Sequence, residues 1–162
     1  MIFVVGPSRG GKTTLPRAAL PEFPSFRLLD LDEDETRRVN LLVAEGKDSG
    51  GWDSRWERNL EALSEAAPGT VVDVGAGSLQ TEQGRAFLVD RGRSAIAVVA
   101  SWEVVHSRHP GRSAVEFQNT EYSIHRQRVY DAARFRIDSS RDLAQSLEEM
   151  RMALRDLANG AA

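Results

Sequence analysis

The 162-residue chain contains no cysteine, which excludes disulfides, thiolate zinc sites and cysteine nucleophiles. Its three histidines, His106, His109 and His125, are too scattered to build a metal centre by themselves. It lacks a basic N-terminal region followed by a long apolar stretch, so neither a secretory signal nor a membrane span is read, and a cytoplasmic protein is expected. It also lacks an excess of positive charge. A formal net charge of -3 and a pI near 5.7 argue against a general nucleic-acid-binding surface, leaving room only for a local basic site. No internal repeat is present, and the only biased segment is a short Ala/Gly tail.

What is there suits one domain over 1–162, since 41% hydrophobic content at this length can build one real core but not two. A monomer or weak dimer is expected. Strand-like apolar runs recur at 2–5, 26–29, 70–74, 95–100 and 134–138. Helical patterns fall at about 12–20, 33–46, 53–67, 79–91, 102–107 and 118–132, with 140–159 last. The alternation predicts an α/β fold with a mainly parallel sheet covered on both faces. The stripe Leu143, Leu147, Met150, Leu154, Leu157 reads as a closing core helix, with Asp138-Ser139-Ser140 as its N-terminal cap.

Gly6-Pro7-Ser8-Arg9-Gly10-Gly11-Lys12-Thr13 fits the phosphate-loop pattern G-x-x-x-x-G-K-[ST] and follows the apolar run Ile2-Phe3-Val4-Val5. Glycines let successive backbone N–H groups point into one concavity, and the following helix adds its positive dipole end. Gly6, Arg9, Gly10, Gly11, Lys12, Thr13 and Thr14 are therefore the candidate ATP-binding residues. Lys12 is suited to the β- and γ-phosphates, and the Thr13 hydroxyl to a Mg²⁺ brought with the nucleotide. A glycine turn with a surface lysine is the competing reading, disfavoured because the strand before and the helix after are both present. Pro16 lies early enough in that helix not to break it.

In an open parallel sheet, ligands collect beyond the carboxyl ends of the strands. Strand two ends in Asp30-Leu31-Asp32, two carboxylates on one side of an extended chain. One suits a metal through water, and the other suits a substrate hydroxyl, as hydrogen-bond acceptor or base. Either could instead cap the acidic helix start Glu33-Asp34-Glu35. Strand three runs through Asp73 into Gly75-Ala76-Gly77, a second small-residue loop on which a substrate can lie. Asp73 is a metal carboxylate or, equally, a buried acid satisfied by a hydroxyl such as Thr13. The basic segment from His106 to Ser113, with Arg108 and Arg112, reads as a lid over the site. The histidines read as surface or packing residues. Arg126, paired i,i+4 with Tyr130, is a candidate grip for an anionic group. Arg55 is a second, placed beside the buried stripe Trp56, Leu60, Leu63, Ala67, and Trp52 and Trp56 read first as packing.

The phosphate loop, Asp30-Leu31-Asp32, the 75–77 loop and Arg126-x-x-x-Tyr130 followed by Asp131 to Asp138, in this order, resemble the shikimate kinase family over nearly the whole chain. The resemblance implies a three-layer α/β/α P-loop fold with a five-stranded parallel sheet of order 2-3-1-4-5, and a lid over about 106–118. It implies transfer of the γ-phosphoryl of ATP to a hydroxyl of shikimate or a related small hydroxylated acid. Carried over by position, catalysis falls to Lys12, Asp32 and Arg112. Thr13, Asp30 and Asp73 fall to Mg²⁺, and Arg108 to the nucleotide. Asp32, Arg55, Gly75, Ala76, Gly77 and Arg126 fall to the acceptor, the last on its carboxylate. Three departures are visible: Ala76 interrupts the family's triple glycine, Arg112-Ser113-Ala114 replaces Arg-Pro-Leu, and Arg55 is one residue out of register if Glu57 takes the family's glutamate position. Two other readings stand beside this one: an ATP-binding regulatory module without acceptor phosphorylation, and a nucleoside or nucleotide kinase with Trp52 or Trp56 lining the acceptor pocket.

Overall fold

The computed structural model describes residues 1–109 and 111–160; Pro110 of the expected lid and the Ala161-Ala162 end of the tail lie outside the described residues. The elements are, in order, β1 (Ile2–Val5), α1 (Thr14–Ala19), β2 (Arg27–Asp30), α2 (Leu31–Ala44), α3 (Trp52–Glu65), β3 (Thr70–Asp73), α4 (Glu82–Asp90), β4 (Ala95–Val99), α5 (Trp102–Ser107), α6 (Ala114–Glu121), α7 (Ile124–Ala132), β5 (Phe135–Asp138) and α8 (Leu143–Asn159). All four strand pairs are parallel, and the order is β2-β3-β1-β4-β5, the order that the family resemblance implies.

Strands β1, β3 and β4 are buried along their whole length because both their faces are covered. Side chains alternate between the faces, so Phe3, Val5 and Val72 pack with Leu63, Leu88 and Val129 on one side. Ile2, Val4 and Val71 pack with Leu15, Met150, Leu154 and Leu157 on the other. Each of these large side chains stabilises the fold by roughly 1.5–3 kcal/mol on burial. The edge strands carry Arg27 and Arg136, and a charged edge discourages pairing with another chain.

Several local expectations are corrected. Helix α2 begins at Leu31, so Asp30 and Asp32 do not share one side of an extended chain: Asp30 is the N-cap, accepting the amides of Asp32 and Glu33 at 3.1 Å. Asp142, not Asp138-Ser139-Ser140, caps α8, and Leu143 is exposed rather than part of its core stripe. In α3, Asn59 and Ala62 join Trp56 and Leu63 in the buried face, while Leu60 turns outward. The helix expected over 118–132 is broken at Tyr122-Ser123. Ser123 caps α7, and the Tyr122 hydroxyl donates to the Ala100 carbonyl at 2.9 Å. That break matters for the site. In one continuous helix Glu121 and Arg126, five residues apart, would point roughly 140° away from each other.

Candidate active site

The phosphate loop joins β1 to α1 and needs two unusual backbone conformations. Gly11 has φ +96, open to glycine, and Arg9 has φ 57, which costs an ordinary residue roughly 1–2 kcal/mol. Arg9 is held there reciprocally: its guanidinium donates to the Arg108 carbonyl, and that of Arg108 donates to the Arg9 carbonyl at 3.1 Å. His109 also contacts the Ser8 carbonyl through Nε2 at 3.1 Å. The start of the expected lid is thus fastened to the loop. A Cβ on Gly6 would collide with the Val98 carbonyl, and one on Gly10 would be in tight contact with Pro7.

Arg9, Gly11, Lys12, Thr13, Thr14 and Arg108 line a cavity of about 470 Å³, closed on its far side by Ser139, Arg141, Leu143 and Ser146. Lys12 is only 7% exposed, yet it forms no ion pair or side-chain hydrogen bond among the described residues. Its stem is packed away while the residue lines the cavity, so an anion arriving there would pair with the ammonium. Ser139 was read from sequence only as part of a helix cap, whereas its hydroxyl donates to the Gly10 carbonyl at 2.5 Å and so ties the phosphate loop to the end of β5. It stands just beyond the end of β5, where the rule about strand ends could have found it.

At the cavity's inner end, Asp73 and Asp30 lie side by side in register on β3 and β2. The Thr13 hydroxyl donates to Oδ2 of Asp73, whereas Oδ1 is buried without a partner. Burial pushes the Asp73 carboxyl above the usual carboxylate range, opposed by the Thr13 hydrogen bond and the charge of Lys12 and assisted by the charges of Asp30 and Asp32. Asp30 is more committed: besides capping α2 it pairs with Arg17 at 3.2 Å. Among the described residues no group of three or more His, Cys, Asp or Glu side chains is arranged to hold a metal. An orphaned carboxylate oxygen beside a threonine hydroxyl fits a hard cation that takes most of its ligands from water and phosphate.

The second half of the cleft is built on the 75–77 loop. Asp32, in the first turn of α2, forms an ion pair with Arg55 of α3, and the pair lies directly over this loop. A Cβ on Gly75 would overlap the Asp32 carboxylate, and one on Gly77 the Arg55 guanidinium. Ala76 begins a short 3₁₀ turn with ordinary backbone angles, so its Cβ brings no left-handed strain. The position of Arg55, which sequence register left in doubt, is therefore inside the cleft. Arg126 lies behind the loop, 3% exposed, donating to the Ala76 carbonyl at 3.3 Å and to Glu121 at 2.6 Å. Glu121, also buried, was not anticipated from sequence.

Arg112 does not line the phosphate cavity. It donates to Thr120 at 2.9 Å, approaches Glu121 at 3.4 Å and lies over the Phe117 ring, on the base of the expected lid. Trp56 is buried edge-on against Phe87, and Trp52 is largely exposed with the Arg55 guanidinium over its ring, so neither lines a pocket for a base.

Solved structures share this fold. The shikimate kinase of Aquifex aeolicus superposes with a TM-score of 0.70 over 98% of both chains at 21% identity. A shikimate kinase from Acinetobacter baumannii in complex with shikimate gives 0.67, covering 98% of this chain and 93% of that one at 21% identity. A gluconokinase from Sinorhizobium meliloti 1021 gives 0.55, covering 99% and 94%, also at 21% identity. In sequence, shikimate kinase 2 of Yersinia pestis (strain Pestoides F) is 37% identical over 93 residues, 57% of this chain and 53% of the relative. The chain is similar to the shikimate kinases. The match spans about half the length of these relatives, as it does for shikimate kinase 2 of Escherichia fergusonii, 36% identical over 92 residues, 56% of this chain and 50% of the relative. No family model matches. The fold is the one these solved shikimate kinases and the gluconokinase share, and the resemblance read from the motifs is supported by both sequence and structure relatives.

Proposed function

We propose that the protein is an ATP-dependent phosphotransferase that phosphorylates a hydroxyl of shikimate or a related small hydroxylated acid. The observation that carries this reading is Lys12, which lines the cavity with no ion-pair partner among the described residues, in a phosphate loop whose Thr13 donates to Asp73, beside the Asp32–Arg55 pair. The cavity beside the phosphate loop and the polar surface formed by Asp32 and Arg55 are thus linked by the neighbouring carboxylates of Asp73 and Asp30.

In this mechanism the loop amides and Lys12 hold the β- and γ-phosphates, with Arg9 and Arg108 at the cavity mouth and Ser139 opposite. Thr13 and Asp73, with Asp30 beside them, would hold Mg²⁺, which when bound offsets charge on the phosphate oxygens. The acceptor lies on Gly75, Ala76 and Gly77. Asp32 accepts the proton of the attacking hydroxyl as its oxygen bonds to the γ-phosphorus and the bond to the ADP oxygen breaks. Arg55 takes the acceptor's anionic group. Arg112, now held on the base of the lid, is suited to reach the transferring phosphoryl if the segment closes.

The test is coupled ADP release with shikimate, gluconate, sugars and nucleosides as acceptors. Turnover dependent on a hydroxylated acid is the expected result. Tight ATP binding without turnover on any acceptor would favour the regulatory module instead. The nucleoside kinase reading has less support, because Trp56 is in the core and Trp52, over which Arg55 lies, is largely exposed.

A further inference from the structure

The two arginines of the acceptor half are paired in different ways. Arg55 is 21% exposed and its partner Asp32 is 50% exposed, so water screens this ion pair and an arriving anion can share it. Arg126 and Glu121 are 3% and 6% exposed and meet at 2.6 Å. Glu121 is fixed from two further directions: the Ser8 amide of the phosphate loop donates to Oε2 at 3.1 Å, and Arg112 approaches Oε1 at 3.4 Å. A carboxylate held by three donors on three different segments does not readily swing away when another anion approaches. Separating a buried pair would strand one charge in the interior.

We infer that Glu121 sets acceptor selectivity by cancelling the charge of Arg126. An acidic acceptor is then held through Arg55 alone, and acids are only weakly preferred over neutral polyols of the same shape. Arg126 is a buried support behind the 75–77 loop, held on the Ala76 carbonyl, not the grip on the acceptor's carboxylate that the family resemblance implies. The inference rests on the phosphotransferase reading and narrows its substrate class. Glu121 is a selectivity residue acting through Arg126, reached only because the helix break at Tyr122-Ser123 turns the two side chains toward each other.

The experiment compares kcat/KM for shikimate and for its methyl ester, the neutral isostere, in the wild type, Glu121→Gln, and the double variant Glu121→Gln/Arg126→Gln. The double variant replaces a buried ion pair by two neutral amides, a change folds commonly tolerate. Its acid-to-ester ratio is expected within about threefold of the wild type. In Glu121→Gln the exposed charge of Arg126 should raise that ratio about tenfold or more, through KM. A tenfold or greater drop of the ratio in the double variant would make Arg126 the grip and overturn the inference, as would an unchanged ratio in a folded Glu121→Gln. If Glu121→Gln does not fold, the double variant decides alone. Should the wild type turn over neither of these nor any other acceptor of the screen, the phosphotransferase reading has failed. Calorimetric binding of acid against ester, in the same three proteins, still decides the role of Glu121.

Discussion

On the phosphate-loop side of the cleft, Lys12 is buried with no ion-pair partner among the described residues, while on the acceptor side Arg55 and Arg126 each arrive with a carboxylate, Asp32 and Glu121. The first half is charged in advance for a polyanion. The second is nearly neutral before anything binds, so what it accepts depends on shape and hydroxyl placement more than on charge. The two halves meet at Asp73, whose unpartnered oxygen belongs fully to neither.

The largest expected effect falls on the uncompensated half. Lys12→Met, which keeps the apolar stem, should lower kcat by about a thousandfold, consistent with losing a charge that stabilises the transferring group, and it should change the melting temperature little, since no ion pair or hydrogen bond is broken. A clear loss of stability would mean that Lys12 has a structural partner. Next, Asp32→Asn removes both the base and the partner of Arg55. Turnover should fall by about a hundredfold or more, with nucleotide affinity, read by calorimetry, little changed. Arg55→Lys keeps the charge but loses the planar fork. We expect KM for an acidic acceptor to rise about tenfold, with kcat much less affected.

A smaller effect concerns Asp73. Because burial raises its pKa in the folded protein, the folded state keeps this proton to higher pH than the unfolded chain does. The stability it contributes is therefore complete below the unfolded value, about 3.9, and is lost as pH rises through the folded value. Asp73→Asn can still accept from Thr13. It should melt higher than the wild type at neutral pH without ligands and show a flatter stability profile between acid and neutral pH, while losing Mg²⁺-dependent turnover. A lower melting temperature at neutral pH would show that ionised Asp73 is already compensated. Smallest of all, Trp52→Ala should change turnover by less than about threefold, since an exposed ring lines no pocket.

How far the sequence could be read differs in the same way between the halves. The phosphate loop is contiguous, and its glycines and lysine do their work through backbone curvature, so residues 6–13 predict their own geometry. The sheet order came from the resemblance, and the strands from runs too apolar to sit anywhere but a two-faced core. The acceptor half is assembled from four segments. Arg55 looked misplaced because one residue of register turns a helix side chain by roughly 100°. The structure shows that α3 approaches the 75–77 loop so that Arg55 itself reaches Asp32. Glu121 carried no motif: its role depends on a helix break whose signals, Ser123 as a cap and the Tyr122 hydroxyl on Ala100, act through tertiary contact as much as local preference. Asp30 was the reverse case, because its capping role was legible in Asp30-Leu31-Asp32-Glu33 and is the one its side chain performs.

The most direct test is a phosphorus NMR spectrum of the protein incubated with Mg·ATP and shikimate. A new phosphomonoester resonance growing in equal amount with ADP, and absent in Lys12→Met, is the result predicted here. ADP accompanied only by inorganic phosphate, or no consumption of ATP at all, would contradict transfer onto a hydroxylated acid.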